Sequence, residues 1–151
     1  MNAPIRFNLT GSVPPKKTSQ KIIIPRQRYS NPLLELAIEG DGRFKRKRKI
    51  ISSDIHQKWQ EDAAWQLKIQ KEEQGLETID YKVNLAVKIL KTSIAEFDLS
   101  NHIQSIEDAL QLAGVIKNDN LIYSFDGSRK ILGTCCPDGA VIEITHFKED
   151  E

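Results

Sequence analysis

Two aspartates, Asp98 and Asp119, stand at the two ends of one predicted helix. Asp98 directly precedes the helical stretch from Leu99 to Ala113, and Asp119 follows it after a short loop that begins at Gly114. A hard cation such as Mg²⁺ binds through one or two carboxylates, water molecules and phosphate oxygens of a substrate. Such an ion can activate a water molecule and stabilise charge on a phosphate. On spacing alone, a helix cap at Asp98 and a turn at Asp119 are the simpler explanations.

A second group of residues that could act on a charged ligand is basic. Residues 1–50 carry 12 Lys/Arg against 3 Asp/Glu, a net charge of +9, whereas residues 51–151 carry 10 against 18, a net charge of −8. Lysine and arginine neutralise phosphates without regard to base sequence. The pattern predicts a polyanion-binding surface beside an acidic site, and a solvated strand or a targeting signal is the alternative. The predicted contact residues are Lys16, Lys17, Arg43, Lys45, Arg46, Lys47, Arg48 and Lys49.

The elements that must position the aspartates follow from hydrophobic periodicity. In the helix from Leu99 to Ala113, apolar residues recur at steps of three and four and form one face. Alternation predicts strands over residues 5–10 and over Tyr81–Leu90, where every second residue is apolar. The segment from Ala140 to Thr145 predicts a final strand. Residues 121–125 and 130–132 are predicted to pair as a hairpin around Asp126-Gly127.

A longer helix is predicted between the capping residues at 52–54 and about Gln74, and Gly75 is expected to end it. Its apolar stripe is expected to contain Ile55, Trp59, Ala63, Leu67 and Gln70, widened by Trp65 and Ile69. Before it, residues 33–38 and 43–51 are predicted to pair around the turn at residues 40–42. The order of elements predicts one α+β domain over residues 1–151, with a mixed sheet, two main helices and a basic loop or hairpin at about 15–51.

Composition excludes several classes of protein. The chain of 151 residues has no apolar run approaching the ~20 residues that span a bilayer, and its N-terminus lacks the apolar stretch of a signal peptide. Its two cysteines, Cys135 and Cys136, are adjacent, so they cannot build a secreted disulfide framework, and a structural or inert role is expected. These features predict a cytoplasmic location without membrane contact.

The block around the two aspartates resembles the RusA-type Holliday junction resolvases. The matching residues are Asp98 and Asn101, then Asp108-Ala109-Leu110 within the helix, then Gly114-Val115-Ile116 and Asp119. The separation between Asp98 and Asp119 also agrees with the spacing in that family. Upstream, residues 13–17 and 49–53 are similar to phage-type members, so the likeness covers most of the chain.

The resemblance implies a homodimeric, Mg²⁺-dependent endonuclease, with Mn²⁺ as an alternative ion, that nicks four-way DNA junctions on two opposite strands. It further implies that Asp98 and Asp119 are catalytic, metal-binding carboxylates. It places the second aspartate of the family motif at Ser100 and its lysine at Gln104, and both are departures. A hydroxyl is a poorer ligand for Mg²⁺ than a carboxylate, and a glutamine supplies no positive charge to a phosphate.

Two explanations of these departures stay open. Asp108, Glu107 or Glu96 could replace the missing ligand, with Lys117 or a basic loop residue supplying charge. Asp108 is the preferred catalytic substitute, because it shares the polar side of the helix with Asn101, which is expected to contact DNA, and with Ser105. Alternatively, the protein binds branched DNA but cuts it slowly or not at all, and a protein-interaction module is a weaker possibility. His102 is expected to be a histidine on the helix surface without a catalytic role.

Overall fold

The computed structural model describes residues 3–16, 20–23, 49–52 and 54–149, with the backbone alone at 20–23 and 49–52. In chain order, the described elements are strands β1 (Ile5–Thr10), β2 (Gln20–Ile23) and β3 (Lys49–Ser52), helix α1 (Asp54–Glu73), strand β4 (Val83–Lys91), helix α2 (Leu99–Leu112), a 3-10 turn (Asp119–Leu121), and strands β5 (Ile122–Ser124), β6 (Arg129–Leu132) and β7 (Gly139–His146). Both helices and the strands predicted at the two ends of the chain and at residues 81–90 are confirmed.

The main sheet has β7 between β1 and β4, and both pairings are antiparallel. The other edge of β4 carries two short strands in parallel orientation: β5 lies beside its start and β6 beside its end. The connection from β4 through α2 to β5 is therefore a crossover between parallel strands. The prediction of an α+β fold with a mixed sheet is confirmed, and the described residues contain two α-helices.

The predicted hairpin between residues 121–125 and 130–132 is wrong. β5 and β6 lie one after the other along β4 and run in the same direction, so they do not pair with each other. The turn between them is closed by the Ser128 amide, which donates to Phe125 O at 3.0 Å. It is also tied to β4, because the Asn84 side chain accepts from the Asp126 amide at 2.8 Å and donates to its carbonyl at 3.1 Å. Partners on β4 thus replace the cross-strand partners of a hairpin.

In the basic region, the structure describes one pairing that the sequence did not predict. β3 pairs antiparallel with β2, with Ile50 opposite Ile22 and Lys49 opposite Ile23. The pairing predicted between residues 33–38 and 43–51 stays a prediction, because residues 33–38 lie outside the described residues. Because residues 24–48 connect Ile23 to Lys49, both ends of that connection are at the same end of the two-stranded ribbon.

The core lies between the helices and one face of the main sheet. The alternate residues of β4, Val83, Leu85, Val87 and Ile89, are buried, as predicted, and so is the predicted face of α2 at Ile103, Ile106, Leu110 and Ala113. The predicted stripe of α1 is only partly correct. Ala63 and Leu67 are buried and Trp59 packs against the core, but Ile55 and Trp65 are 81% and 64% exposed. Ala64 is buried in place of its large neighbour Trp65.

The free edge of β1 is covered by glutamine side chains of α1. The Gln70 side chain accepts from the Asn8 amide at 2.8 Å and donates to its carbonyl at 2.7 Å. Gln66 accepts from the Thr10 amide at 2.9 Å, and Gln74, one turn further on, donates to a third carbonyl of the strand. Four residues of a helix rise about 6.0 Å and two residues of a strand about 6.6–6.8 Å, so the two repeats match. Gln70 therefore lies on the inward side of α1, as predicted, but its side chain binds the backbone of Asn8 and does not belong to the apolar core.

In the part of the chain that the structure describes, neither helix combines the length and the apolar character that crossing a bilayer requires. Both cysteines are free and exposed.

Candidate active site

Asp98 is the N-cap of α2 and remains exposed at the surface. Its backbone is extended, with φ −78° and ψ 106°, and its carboxylate accepts from the Asn101 amide at 3.4 Å. The Ser100 hydroxyl donates to the same carboxylate oxygen at 2.8 Å. The capping role that spacing predicted for Asp98 is confirmed. An exposed carboxylate at a helix N-terminus is also accessible to a ligand, so capping and metal binding are compatible.

The residues before Asp98 are held by lysines from neighbouring strands. Lys130 of β6 donates to the carbonyl of Phe97 at 3.0 Å and pairs with Glu96 at 2.5 Å. Lys91, at the end of β4, lies 5.6 Å from the centre of the Phe97 ring. The segment that delivers Asp98 to the helix is therefore fixed by contacts with β4 and β6, and it carries positive charge beside the predicted metal ligand.

His102 is buried, contrary to the expectation of a surface histidine. Its ring packs against Phe97 with centroids 4.5 Å apart, and its Nδ1 lies 2.8 Å from the Asp98 carbonyl, to which it donates. Burial is the main cause that lowers the pKa of His102, and the contact with the Asp98 carbonyl partly opposes this shift. An imidazole that donates from Nδ1 to the backbone and packs against Phe97 supports the N-terminus of α2.

Asp119 is positioned by the other end of α2. Gly114, with φ +69°, ends the helix in a left-handed conformation that favours glycine, and the Val115 amide donates back to Leu110 O at 3.0 Å. The Lys71 side chain of α1 donates to Gly114 O at 3.0 Å and so anchors this end. Asp119 then opens the 3-10 turn and is exposed. The predicted end of the helix at Gly114 and the predicted turn at Asp119 are both confirmed.

A cavity of about 590 Å³ lies along the exposed side of α2, and we refer to it as the α2 cavity. Its walls include three polar residues of the helix, Ser100, Gln104 and Glu107, and three apolar residues, Leu99, Ile103 and Phe125. The two positions at which this chain departs from the RusA motif, Ser100 and Gln104, thus line one cavity together with Glu107.

The two predicted metal ligands are each connected to a residue that lines this cavity. Ser100 is hydrogen-bonded to Asp98, whereas Glu107 is under the electrostatic influence of Asp119. Partial burial is the main cause that raises the pKa of Glu107, and the negative charges of Asp119 and Asp108 add to it. A carboxylate in this position would be stabilised by a cation or by a hydrogen-bond donor.

Asp108 faces away from the α2 cavity, toward the start of the basic region. It forms an ion pair with Lys16, and both side chains are partly buried. Next to them on α2, Ser105 is fully buried and donates to Pro14 O at 2.7 Å, and His56 of α1 lies 3.4 Å from the same hydroxyl. Burial, followed by the charge of Lys16, lowers the pKa of His56, and Asp108 opposes this shift. Asp108, the preferred substitute ligand, and Lys16, a predicted DNA contact, are therefore partners of each other.

The remaining predicted DNA contacts are distributed as follows. Asn101 lies in the first turn of α2, and its side chain is buried, with only 7% of the residue exposed. Lys49 belongs to β3, of which the backbone is described, while Lys17 and the residues Arg43, Lys45, Arg46, Lys47 and Arg48 lie outside the described residues.

The donor set around α2 suits a partly hydrated ion. Among the residues that the structure describes, no three side chains of the His, Cys, Asp and Glu types converge on one point. A closed cage formed by the protein is thus absent from that part of the chain. Mg²⁺ keeps several water molecules and is usually bound through one or two carboxylates together with substrate phosphates. Exposed carboxylates beside an open cavity fit this mode of binding.

Three residues of this region have roles that the sequence did not predict. Glu107 was ranked below Asp108, because helical spacing alone does not tell which polar residues face a cavity and which face Lys16. Phe125 and Lys130 had no predicted role in the site, because the predicted hairpin placed both in a separate unit. Parallel pairing of β6 with β4, which sets Lys130 opposite Ile89, brings them to α2. The β4–helix–strand order was the pattern that could have indicated this crossover.

No family model matches the chain. Among curated proteins, the chain is similar to the crossover junction endodeoxyribonuclease RusA of Aquifex aeolicus (strain VF5). The two are 28% identical over 118 residues, which cover 77% of this chain and 90% of that protein. At 118 residues, the match extends far beyond the Asp98–Asp119 block, and it supports the resemblance to the RusA-type resolvases.

Proposed function

We propose that this protein is a Mg²⁺-dependent endonuclease that binds four-way DNA junctions and resolves them by paired nicks, with Mn²⁺ as an alternative ion. The observation that carries the proposal is the α2 cavity. Two residues of α2 that line this cavity connect it to the predicted metal ligands. Ser100 is hydrogen-bonded to Asp98, and Glu107 is influenced by the charge of Asp119. The similarity to the RusA of Aquifex aeolicus supports the choice of branched DNA as the substrate.

In this proposal, Asp98 and Asp119 would hold the ion, which would supply Lewis acidity and an activated water molecule. The chain's own contribution is positioning. Ser100 and the Asn101 amide orient the Asp98 carboxylate, and the N-terminus of α2 favours negative charge at this point, including that of a phosphate. Lys130, held beside Asp98 by its hydrogen bond to Phe97 O, is the candidate for the positive charge that Gln104 does not supply.

The substrate's backbone would be bound by the basic loop, residues 24–48. The loop contains Arg26, Arg28, Arg43, Lys45, Arg46, Lys47 and Arg48 against three acidic residues, and it connects β2 to β3 at one end of their two-stranded ribbon. The chain enters this region at Pro14–Lys16, which is fixed to α2 through Ser105 and Asp108. Phosphates bound by the loop would therefore be oriented relative to the helix that carries Asp98. A homodimer would place two such sites on a substrate with two-fold symmetry.

A second candidate function is binding of branched DNA without cutting. Ser100 and Gln104 replace a carboxylate and a lysine of the family motif. The loss of the carboxylate favours weak binding of the metal ion. A junction-binding protein of this kind would keep the basic loop and the fold, and would lose the chemistry.

The experiment that separates these functions uses a synthetic four-way junction and a linear duplex of the same sequence. Affinity is measured at several salt concentrations with EDTA present, and nicking is measured with Mg²⁺ or Mn²⁺. Junction-selective, salt-dependent binding with nicks on two opposite strands supports the endonuclease. The same binding without nicks at any metal concentration supports the second candidate. Equal or absent affinity for both DNAs would refute both and would favour a protein-interaction module.

A further inference from the structure

We propose that Cys135 and Cys136 form a reversible oxidation site, at which a small-molecule disulfide joins the two thiols to each other and thereby slows nicking. The site lies in the loop between β6 and β7, and neither cysteine lines the α2 cavity. The chemistry of the thiols goes beyond the inert role that the sequence predicts, and the effect on nicking rests on the proposed function.

Both thiols are accessible to a reagent in solution. Cys135 and Cys136 are exposed, and neither is engaged in a disulfide. Cysteines that respond to oxidants are typically exposed and have a second cysteine nearby, whose thiol can displace the reagent. Here the second cysteine is the adjacent residue, so each thiol keeps a partner in every conformation of the loop. The chain contains no third cysteine that could compete for the mixed disulfide.

The closeness of neighbouring residues makes the oxidised form easy to reduce. Neighbouring Cα atoms lie about 3.8 Å apart across a trans peptide bond, whereas Cα atoms joined by a disulfide are usually about 4.4–6.8 Å apart. A disulfide between Cys135 and Cys136 is therefore strained. Strained and exposed disulfides are the ones that other thiols reduce readily, and regulatory disulfides belong to this group. The pair is thus suited to a reversible change.

The oxidation proceeds through two exchange steps. One cysteine, as its thiolate, attacks a sulfur of the small disulfide, forms a mixed disulfide and releases the first small thiol. The thiolate of the other cysteine then attacks the cysteine sulfur of the mixed disulfide and displaces the second small thiol. The protein gives up two protons and two electrons, and the small disulfide takes them up as two thiols. A dithiol such as dithiothreitol reverses both steps.

Thr134 connects Cys136 to the end of β4. The Thr134 hydroxyl accepts from the Cys136 amide at 3.1 Å, and the Thr134 amide donates to Lys91 O at 3.3 Å. The Cys136 nitrogen is a member of the ring that the disulfide closes. Closing this ring rotates the peptide unit between the two cysteines, so the Cys136 amide turns away from Thr134 and the loop shifts against β4.

The same loop contacts the segment that leads from β4 to Asp98. The Gly133 amide donates to Ser93 O at 3.3 Å. The Gly133 backbone, with φ +63°, lies so close to Ile94 that a Cβ atom at this position would be 3.2 Å from the Ile94 side chain. Asp98 follows shortly after Ile94 in the chain. A shift of the loop is therefore transmitted along this segment to the predicted metal ligand.

The expected effect is a lower rate of nicking at nearly unchanged affinity. Displacing a catalytic group by about 1 Å can lower a rate about 100-fold, so a smaller shift of Asp98 should slow nicking about tenfold. Contacts between basic residues and phosphates dominate affinity for DNA, and residues 133–138 contain no lysine or arginine. The affinity for a junction in EDTA should therefore change less than about twofold.

The test compares the reduced protein with protein treated with oxidised glutathione. Mass spectrometry after alkylation counts the free thiols, hydrogen exchange reports on the amides of residues 91–98, and nicking of a four-way junction is measured with Mg²⁺. We expect the treated protein to be a single chain with no thiol to alkylate and no bound glutathione. Its amides at 91–98 should exchange faster, and it should nick about tenfold more slowly. Dithiothreitol should reverse all three changes.

The control is the double variant Cys135→Ser with Cys136→Ser, which keeps the size and exposure of both side chains. It should nick at the rate of the reduced protein, with or without oxidised glutathione. Slower nicking of this variant after the same treatment would show that glutathione acts elsewhere in the protein, and it would overturn the oxidation site.

The outcomes separate the oxidation site from the proposed function. A closed disulfide with faster exchange and slower nicking, all absent from the double variant, supports the oxidation site. Two unmodified thiols, a bound glutathione, a disulfide between two chains, or a closed disulfide with unchanged exchange or nicking overturns it and leaves the proposed function standing. If the reduced protein does not nick, the proposed endonuclease is refuted, and the mass and the hydrogen exchange decide for or against the oxidation site.

Discussion

The roles of Asp98 as a helix cap and as a metal ligand can be separated with two substitutions. Asp98→Asn keeps an oxygen that can accept from the Asn101 amide and from Ser100, and it removes the negative charge. Its cost in stability is the lost charge–dipole interaction, about 0.3–1 kcal/mol. Asp98→Ala also removes the cap, at a further cost of about 0.5–2 kcal/mol. For a chain of this size, each kcal/mol lowers the Tm by about 2–4 °C.

The rate of nicking should depend on the negative charge of residue 98, and the thermal stability should depend mainly on its capping hydrogen bond. Loss of a group that merely orients a metal ligand costs about 10–100-fold, so loss of a ligand should cost at least about 100-fold in nicking. We therefore expect Asp98→Asn to bind junctions with nearly unchanged affinity and to nick them more than about 100-fold more slowly. Asp98→Ala should nick equally slowly and melt at a lower temperature. Thermal unfolding, anisotropy with EDTA and nicking with Mg²⁺ measure the three quantities.

Asp138 provides a matched control for this experiment. It is a surface carboxylate that accepts from the Thr92 amide at 2.8 Å, and this hydrogen bond is the main cause that lowers its pKa. Asp138→Asn should leave nicking unchanged, because this carboxylate lies outside the family-like block. If Asp98→Asn nicks at the normal rate, Asp98 is a cap and the reasoning is refuted. Joint loss of folding and binding in Asp98→Asn would likewise mark a structural role.

Three further predictions test other parts of the site. Ser100→Asp should lower the Mg²⁺ concentration required for nicking, since it restores the family carboxylate, and identical Mg²⁺ titrations would show that another residue already fills the ligand position. Glu107→Gln should raise thermal stability at neutral pH, because a raised pKa means that the folded protein loses stability as pH rises above the ordinary value of 4.5. The gain should vanish below that pH, and an equal gain at all pH values would contradict the charge explanation. Replacing Lys45, Lys47 and Lys49 of the basic region by alanine should leave folding intact. It should reduce the slope of log affinity against log salt by about one unit per lost phosphate contact. An unchanged slope would exclude these lysines as DNA contacts.

The elements that the sequence predicted well are those with long, regular patterns. The apolar face of α2 and the alternation in β4 extend over several repeats. A shift of β4 by one residue would turn all of its apolar side chains to the other face of the sheet, so the pattern admits one arrangement. Asp98 as a cap and Gly114 as a helix end follow from local chemistry, which needs no knowledge of the tertiary fold. The ends of α2, and with them the settings of Asp98 and Asp119, were therefore predictable.

The parts that the sequence did not predict depend on contacts between distant segments. Asp126-Gly127 is a strong turn motif, but Asn84 of β4 provides partners for this turn and directs both flanking strands to β4. Trp65 belongs to the apolar stripe by spacing, yet Ala64 takes the buried position, because α1 also has to face the edge of β1. Asp108 pairs with Lys16, and Glu107 lines a cavity together with Phe125; neither of these neighbours is encoded in the helix itself.

The glutamine side chains of α1 also limit how copies of this protein can associate. An unpaired strand at the border of a sheet is a template that other strands can extend, which leads to aggregation or to strand addition between subunits. Here Gln66 and Gln70 occupy the backbone groups of Thr10 and Asn8, so a foreign strand would first have to displace α1. The border at β1 is thus closed by side-chain amides of α1. The proposed homodimer has to form through a different surface of the molecule.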